Sequence, residues 1–261
     1  MAASMTTSDR AALHTAKKML ATPGIAARLT NAMSIPVAKG LALIPAPGLR
    51  LVGRITQAAV ERALAAATRT LRAGQRRPAA RGRHTLAVVL SGAAAGAFGL
   101  PALALELPLS TAVMLRSIAA IARREGHDPQ DPRVRLECVQ VFALGGPASR
   151  TSGPETGYFA VRAGLARSVA EAARHMTGQA VGTQSAPALV RFITQVTARF
   201  GLVVSDKVVA QAIPLIGAVG GGLVNFLFIR QFQRAARGHF IIRRLEVRYG
   251  EAEVRRAYDR I

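Results

Sequence analysis

The chain has no tryptophan, one cysteine and four lysines, and its 14 acidic residues face 35 basic ones. Each shortage removes a class of function. With Cys138 alone, no intramolecular disulfide can form and no paired-cysteine zinc pattern exists, so a reducing compartment is expected. Three Tyr, nine Phe and no Trp offer few stacking platforms. No zinc finger, RNA-recognition signature or helix-turn-helix accompanies them, so nucleic acid is not an expected partner despite the charge. The chain lacks a Gly-x-Ser-x-Gly elbow and a His-Glu-x-x-His pair. Gly220-Gly221-Gly222 is not followed by the Lys-Ser/Thr of a phosphate-binding loop, and His14, His84, His127 and His175 show no ligand-like spacing. Neither a metal nor a cofactor is expected. The first 25 residues carry Asp9, Arg10, His14, Lys17 and Lys18 and no apolar block of signal-peptide type, so the chain is expected to stay inside the cell.

Two stretches lack charge altogether. Thr85 to Leu105 is 21 uncharged residues and Val208 to Ile229 is 22, each about the length that crosses a hydrocarbon core, roughly 20 residues. Both are notched. Gly92 and Gly96 stand four apart before Gly99-Leu100-Pro101, and Gly217 and Gly221 stand four apart after Pro214. Glycines at that spacing let helix backbones approach closely in lipid, and they permit the same approach in a water-soluble core. Spanning, re-entrant insertion and burial in a soluble bundle all fit these runs, although Glu106 directly after the first argues against a simple span.

What is present is arginine. The net charge of +21 is unevenly spread: residues 1–83 hold 14 basic and 2 acidic side chains, 84–229 hold 12 and 8, and 230–261 hold 9 and 4. Such a balance points to anionic partners, with a lipid surface first among them.

The pattern predicts an all-α chain, a multi-helix bundle with two broken, Gly/Pro-containing apolar helical hairpins. Helices are expected at about 8–20, 26–39, 49–74, 84–97, 102–125, 131–144, 155–177, 187–200, 202–212 and 214–249. Thr22-Pro23-Gly24, Pro45-Ala46-Pro47-Gly48 and Gly145-Gly146-Pro147 punctuate them, and Asp131 before Pro132 reads as an N-cap followed by a first-turn proline. One domain over residues 1–261 is expected, with the basic linker 76–83 as its sole candidate boundary. In the helix after Gly48, Arg50, Arg54, Arg62, Arg69, Arg72 and Arg76 fall within an arc of about 120° at 100° per residue. Val52, Val60, Ala63, Leu64, Ala67 and Leu71 occupy the other side. This basic amphipathic stripe is expected to face lipid, the plainer alternative being a solvated face of a bundle helix.

Candidate polar residues are few. Glu106 sits in apolar surroundings two residues before Pro108, at an expected helix entrance, and should either find a cation or stay protonated. Arg116 is the nearest in sequence, though ten residues, about 15 Å along a straight helix, separate them; Arg243 and His239 are tertiary alternatives. Along the last helix Asn225, Phe232, His239 and Glu246 repeat every seven residues, with Arg243 within about 40° of the same line. A structural ion-pair network is the simpler reading of these groups. The chemical alternative is a membrane-bound hydrolase in which Ser110, Ser117 or Ser205 works with His239 and Glu246.

Several segments together resemble a known family. They run from Leu90-Ser91-Gly92-Ala93 and Phe98-Gly99-Leu100-Pro101 into Glu106-Leu107-Pro108-Leu109-Ser110-Thr111 and Met114-Leu115-Arg116-Ser117-Ile118-Ala119. Val141-Phe142-Ala143-Leu144-Gly145-Gly146 follows, then Arg199-Phe200-Gly201-Leu202-Val203-Val204-Ser205-Asp206-Lys207. Ile213-Pro214-Leu215-Ile216-Gly217-Ala218, Asn225, Phe232-Gln233, Ala236-Arg237-Gly238-His239-Phe240, Arg243-Arg244-Leu245-Glu246 and Tyr249-Gly250 complete the set. The chain resembles the EcsC protein family of bacteria, densely from about residue 84 to 261. That family is named for an operon that also encodes an ABC transporter. Some of its proteins are labelled peptidases, without catalytic residues that map onto this chain. The resemblance implies a membrane context and no mechanism; with the arginine charge, the expectation is an accessory or scaffold protein on the cytoplasmic face of the cell membrane, with an anionic bilayer and a membrane protein as partners. It implies no particular oligomeric state.

Overall fold

The computed structural model describes residues 5–21, 46–70, 100–145, 157–177, 185–212 and 214–261. These form eight helices: α1 (Thr7–Leu20), α2 (Ala46–Thr70), α3 (Leu100–Arg124), α4 (Pro132–Leu144), α5 (Gly157–Met176), α6 (Ser185–Ala212), α7 (Pro214–Tyr249) and α8 (Glu251–Arg260). Among the described residues there is no strand. The helices expected at 26–39 and 84–97, and the linker 76–83, lie outside the described residues.

Local chemistry sets several boundaries. Thr6 caps α1, its side chain accepting the Asp9 amide at 3.2 Å. Asp131 caps α4 as expected, accepting the Arg133 amide at 2.7 Å, with Pro132 in the first turn where its missing N–H is harmless. Three expectations need correcting. The break expected at Gly201 is absent, and α6 runs continuously through it. A single interior glycine costs about 1 kcal/mol, less than burying Phe200, Val203 and Val204 beside it gains. Glu106 and Pro108 lie inside α3 rather than at its entrance. Finally, α8 was not foreseen in so polar a stretch. Gly250, at φ +84°, turns the chain there, and Val254 and Tyr258, four residues apart, bury one edge.

The long helix α7 is the spine, touching α1, α3, α4, α6 and α8, while α6 packs on α2, α4, α5 and α7. Contacts fix the directions. Ser117 meets Gln233 and Glu125 meets Arg244, so α3 runs parallel to α7. Lys207 meets Asn225 and Phe200 meets Phe232, so α6 runs antiparallel to it. The main core centres on Phe142, Phe200, Phe228 and Phe232, whose neighbouring ring centroids lie 5.0–6.0 Å apart. On α2, Val52, Val60, Ala63 and Leu64 are buried while Arg50, Arg54 and Arg62 are exposed, as the amphipathic pattern demanded. The side chain of Arg69, and Arg72 and Arg76 entirely, lie outside the described residues. A second core gathers α1, α8 and the end of α7. There Gly238 lets α1 approach: a Cβ would come within 2.7 Å of Leu20 Cγ and 3.0 Å of the Ala16 carbonyl.

Candidate functional site

Two charge clusters occupy the two halves of α7, about 21 Å apart by the 14 residues from Asn225 to His239.

The first is almost dry. Lys207 of α6 donates to Glu106 Oε2 of α3 at 2.6 Å and to Asn225 Oδ1 of α7 at 3.1 Å, with its Nζ 4.7 Å from the centroid of Phe228. Its side chain has no exposed area and that of Glu106 only 3%. One oxygen, Glu106 Oε1, is buried without a hydrogen-bond partner among the described residues. Pro108 removes a helical N–H in the next turn, and both Ser110 and Thr111 turn their hydroxyls back to the Leu107 carbonyl, at 3.1 and 2.6 Å. The cation that Glu106 needs is therefore Lys207. Arg116 is exposed, and Arg243 and His239 belong to the other cluster.

The second cluster grades from buried to wet. Arg162 of α5 grips Glu246 with two parallel bonds of 2.5 and 2.7 Å, and Arg243 reaches the same carboxylate at 2.8 Å. Arg243 also bridges to Glu137 of α4 at 3.3 Å. Glu251, mostly exposed, stands 3.4 and 3.5 Å from Arg162 and Arg243, and Arg133 stands 3.6 Å from Glu137 at the other margin. Burial draws both buried guanidiniums down, but Glu246 and Glu137 more than offset it and hold them above the ordinary arginine value. Beneath this layer His239, wholly buried, meets Tyr158 Oη through Nδ1 at 2.9 Å. The contact fits Tyr158 donating to Nδ1 or accepting from it, according to the imidazole tautomer. Nε2 stands 3.9 Å from Glu137 Oε2, beyond hydrogen-bond range. Burial, followed by Arg162, Arg243 and His127, pushes the His239 pKa well below the usual histidine value, and burial pushes the Tyr158 hydroxyl up. The imidazole is neutral at physiological pH.

The heptad line is thus a buried stripe, since Asn225, Phe232, His239 and Glu246 are all inside. It does not act as one unit: Asn225 serves the dry pair, Phe232 the aromatic core, and His239 and Glu246 the arginine network. Four participants went unnoticed as site residues: Lys207, Glu137, Tyr158 and Arg162. Lys207 had a signal, being a lysine within a mostly apolar helix of a chain that otherwise uses arginine. The other three are ordinary members of amphipathic helices.

No serine hydroxyl among the described residues bonds to His239. Ser110 donates to Leu107, Ser117 accepts from Gln233 at 2.9 Å, and Glu246 is occupied by two arginines. Cys138 is buried, and burial pushes its thiol up, so it is not an activated nucleophile. Among the described residues no group of three His, Cys, Asp or Glu side chains could hold a metal ion. Two helical stretches, Leu103–Arg124 and Pro187–Val208, are long and apolar enough to cross a membrane, half and one third buried respectively. Among the described residues these stretches share residues 103–105 and 208 with the two uncharged runs, and residues 85–99 of the first run lie outside the described residues.

The family model of the EcsC protein family matches residues 62–245, which contain the Glu106–Lys207–Asn225 cluster and most of the second, though not its Glu246 and Glu251. No curated protein and no solved structure matches the chain.

Proposed function

The chain belongs to the EcsC protein family, and from that premise we propose a membrane-attached accessory or scaffold protein on the cytoplasmic face, holding to anionic lipid and serving a membrane complex. The observation that carries this reading is α6. Over Pro187–Val208 it is apolar enough for a bilayer yet only one third buried. A core helix of a soluble bundle hides its apolar surface, because each Å² left in water forgoes about 25 cal/mol. Leu202 stays largely open on α6, as do Leu105 and Leu109 on α3. The charge of +21 supplies the complementary attraction to an acidic surface. Both polar clusters are closed upon themselves, which suits joints between helices better than a reaction centre.

Flotation of the full chain with vesicles tests the reading. Binding is expected to vesicles containing phosphatidylglycerol and to be far weaker to pure phosphatidylcholine. Resistance to 1 M salt, where exposed charges are screened over about 3 Å, would mark apolar insertion beyond surface attraction. A chain that stays in the soluble fraction with both vesicle types at low salt overturns the proposal. Labelling by a fluorophosphonate probe, lost on Ser110→Ala or His239→Ala, would replace it with a hydrolase.

A further inference from the structure

The Glu106–Lys207–Asn225 contact ties three helices at one level of the bundle. Around that level the largest exposed side chains are apolar. Leu105 is 81% exposed, and Leu109, Leu223 and Phe226 join it within about 5 Å along their helices, with Leu202 about 8 Å away. Among the described residues of α3, α6 and α7 charge is scarce there: Glu106 and Lys207 neutralise each other, and Asp206 is half-buried. Because α3 is parallel and α6 antiparallel to α7, displacement along all three can be measured in one direction. Exposed arginines then recur together. Arg230, Arg199 and Arg116 lie about 8, 12 and 15 Å from the level, all on the same side, at 1.5 Å per residue. The guanidinium of Arg230 rests 5.4 Å from the ring centroid of Phe226, at the border between the two zones.

An apolar band followed by an arginine girdle is the order of groups met on leaving a bilayer. Interfacial elements bury their apolar face about 5–10 Å into the headgroup and acyl boundary, and arginine stems extend several ångströms to keep the charge at the phosphates. We infer that this end of the bundle is the part that enters an anionic bilayer, with the apolar side chains around Glu106–Lys207–Asn225 in the acyl region and Arg116, Arg199 and Arg230 on lipid phosphates. The inference rests on the membrane reading above and adds an orientation to it. The internal pairing of Lys207 with Glu106 removes the net charge that would otherwise oppose entry. The opposite end, with its arginine–carboxylate network, remains in water.

The absence of tryptophan makes the test clean, since each introduced Trp is the only one in the chain. Leu105→Trp and Leu223→Trp report on the proposed inserted end. Val190→Trp and Val247→Trp, at positions 61% and 78% exposed, report on regions about 26 and 33 Å from it. On adding phosphatidylglycerol-containing vesicles to each full-length variant, the first two should shift to shorter wavelength and be quenched by brominated acyl chains. The last two should keep their emission and stay open to iodide. In parallel, Arg116→Ala, Arg199→Ala and Arg230→Ala together should lower vesicle affinity roughly 100-fold, at about 1 kcal/mol per arginine near the surface and 1.4 kcal/mol per tenfold. The same loss of charge through Arg10→Ala, Arg256→Ala and Arg260→Ala should lower it by less than about threefold. Flotation without a shift at Leu105→Trp or Leu223→Trp, a shift at the remote pair, or equal losses for the two triple variants overturns the orientation and leaves membrane attachment standing. A blue shift of Leu105→Trp before vesicles are added also overturns it, assigning the band to self-association. Failure to float at all overturns the membrane reading itself.

Discussion

The two halves of α7 solve the same problem, burying charge in a helical bundle, by opposite means. At Asn225 a lone lysine and a lone carboxylate are withdrawn almost completely from solvent and left with one oxygen unpartnered among the described residues. At Glu246 two arginines and two carboxylates share many bonds, and the layer opens gradually through Glu251 and Arg133. Lysine presents a compact point charge, which fits a small dry slot. Arginine presents a planar fork with five donors, which knits several carboxylates together. The difference teaches where each half can operate. A sealed pair with no net charge tolerates an apolar surrounding, whereas a network with an exposed margin needs water beside it.

The largest effect should come from breaking the dry pair. Lys207→Met should cost about 3–5 kcal/mol in urea unfolding, because Glu106 is left charged and buried alone. Adding Glu106→Leu should restore most of that loss, and a double variant no better than the single would deny the pair its isolation. Arg162→Ala comes next, at about 2–3 kcal/mol: two bonds to Glu246 vanish, but Arg243 still holds one oxygen. The same urea series reads it, and a loss as large as that of Lys207→Met would erase the contrast between shared and solitary pairing.

Acid should act through His239. Its folded pKa lies well below the unfolded value, so the unfolded chain binds the extra proton as pH falls. Stability is complete above about pH 6.5 and declines below it by as much as about 1.4 kcal/mol per unit, down to the folded pKa. Melting temperature measured from pH 7.5 to 5 should therefore fall for the native chain and fall less for His239→Phe. Identical slopes would mean that other groups carry the acid response. The smallest effect belongs to Glu251→Ala, at the exposed margin, which should leave the unfolding midpoint within error, as weak surface pairs do.

Much of the fold could be read directly from the chain. Arg50, Arg54 and Arg62 lie on the exposed side of α2 because charge at that spacing cannot be buried in a row. Asp131-Pro132 starts α4 because both residues suit the same local geometry. Asn225, Phe232, His239 and Glu246 form a buried stripe because a seven-residue repeat keeps one face of a helix. These are short-range consequences of periodicity and backbone sterics. The partner of Glu106 was another matter. Arg116 is ten positions away and Lys207 is 101, yet only Lys207 is near, since helix direction and packing decide which distant residues share a level. Likewise the seven-residue repeat left a polar network and a serine-partnered base both open for His239, until α5 placed Tyr158 against its Nδ1 and Arg162 on Glu246. Composition and spacing determined that this chain is helical, cationic and apolar in long stretches. Only the packing of α3 and α6 against α7 decided which charges cancel and which arginines line up, because those outcomes depend on contacts between residues that local periodicity cannot relate.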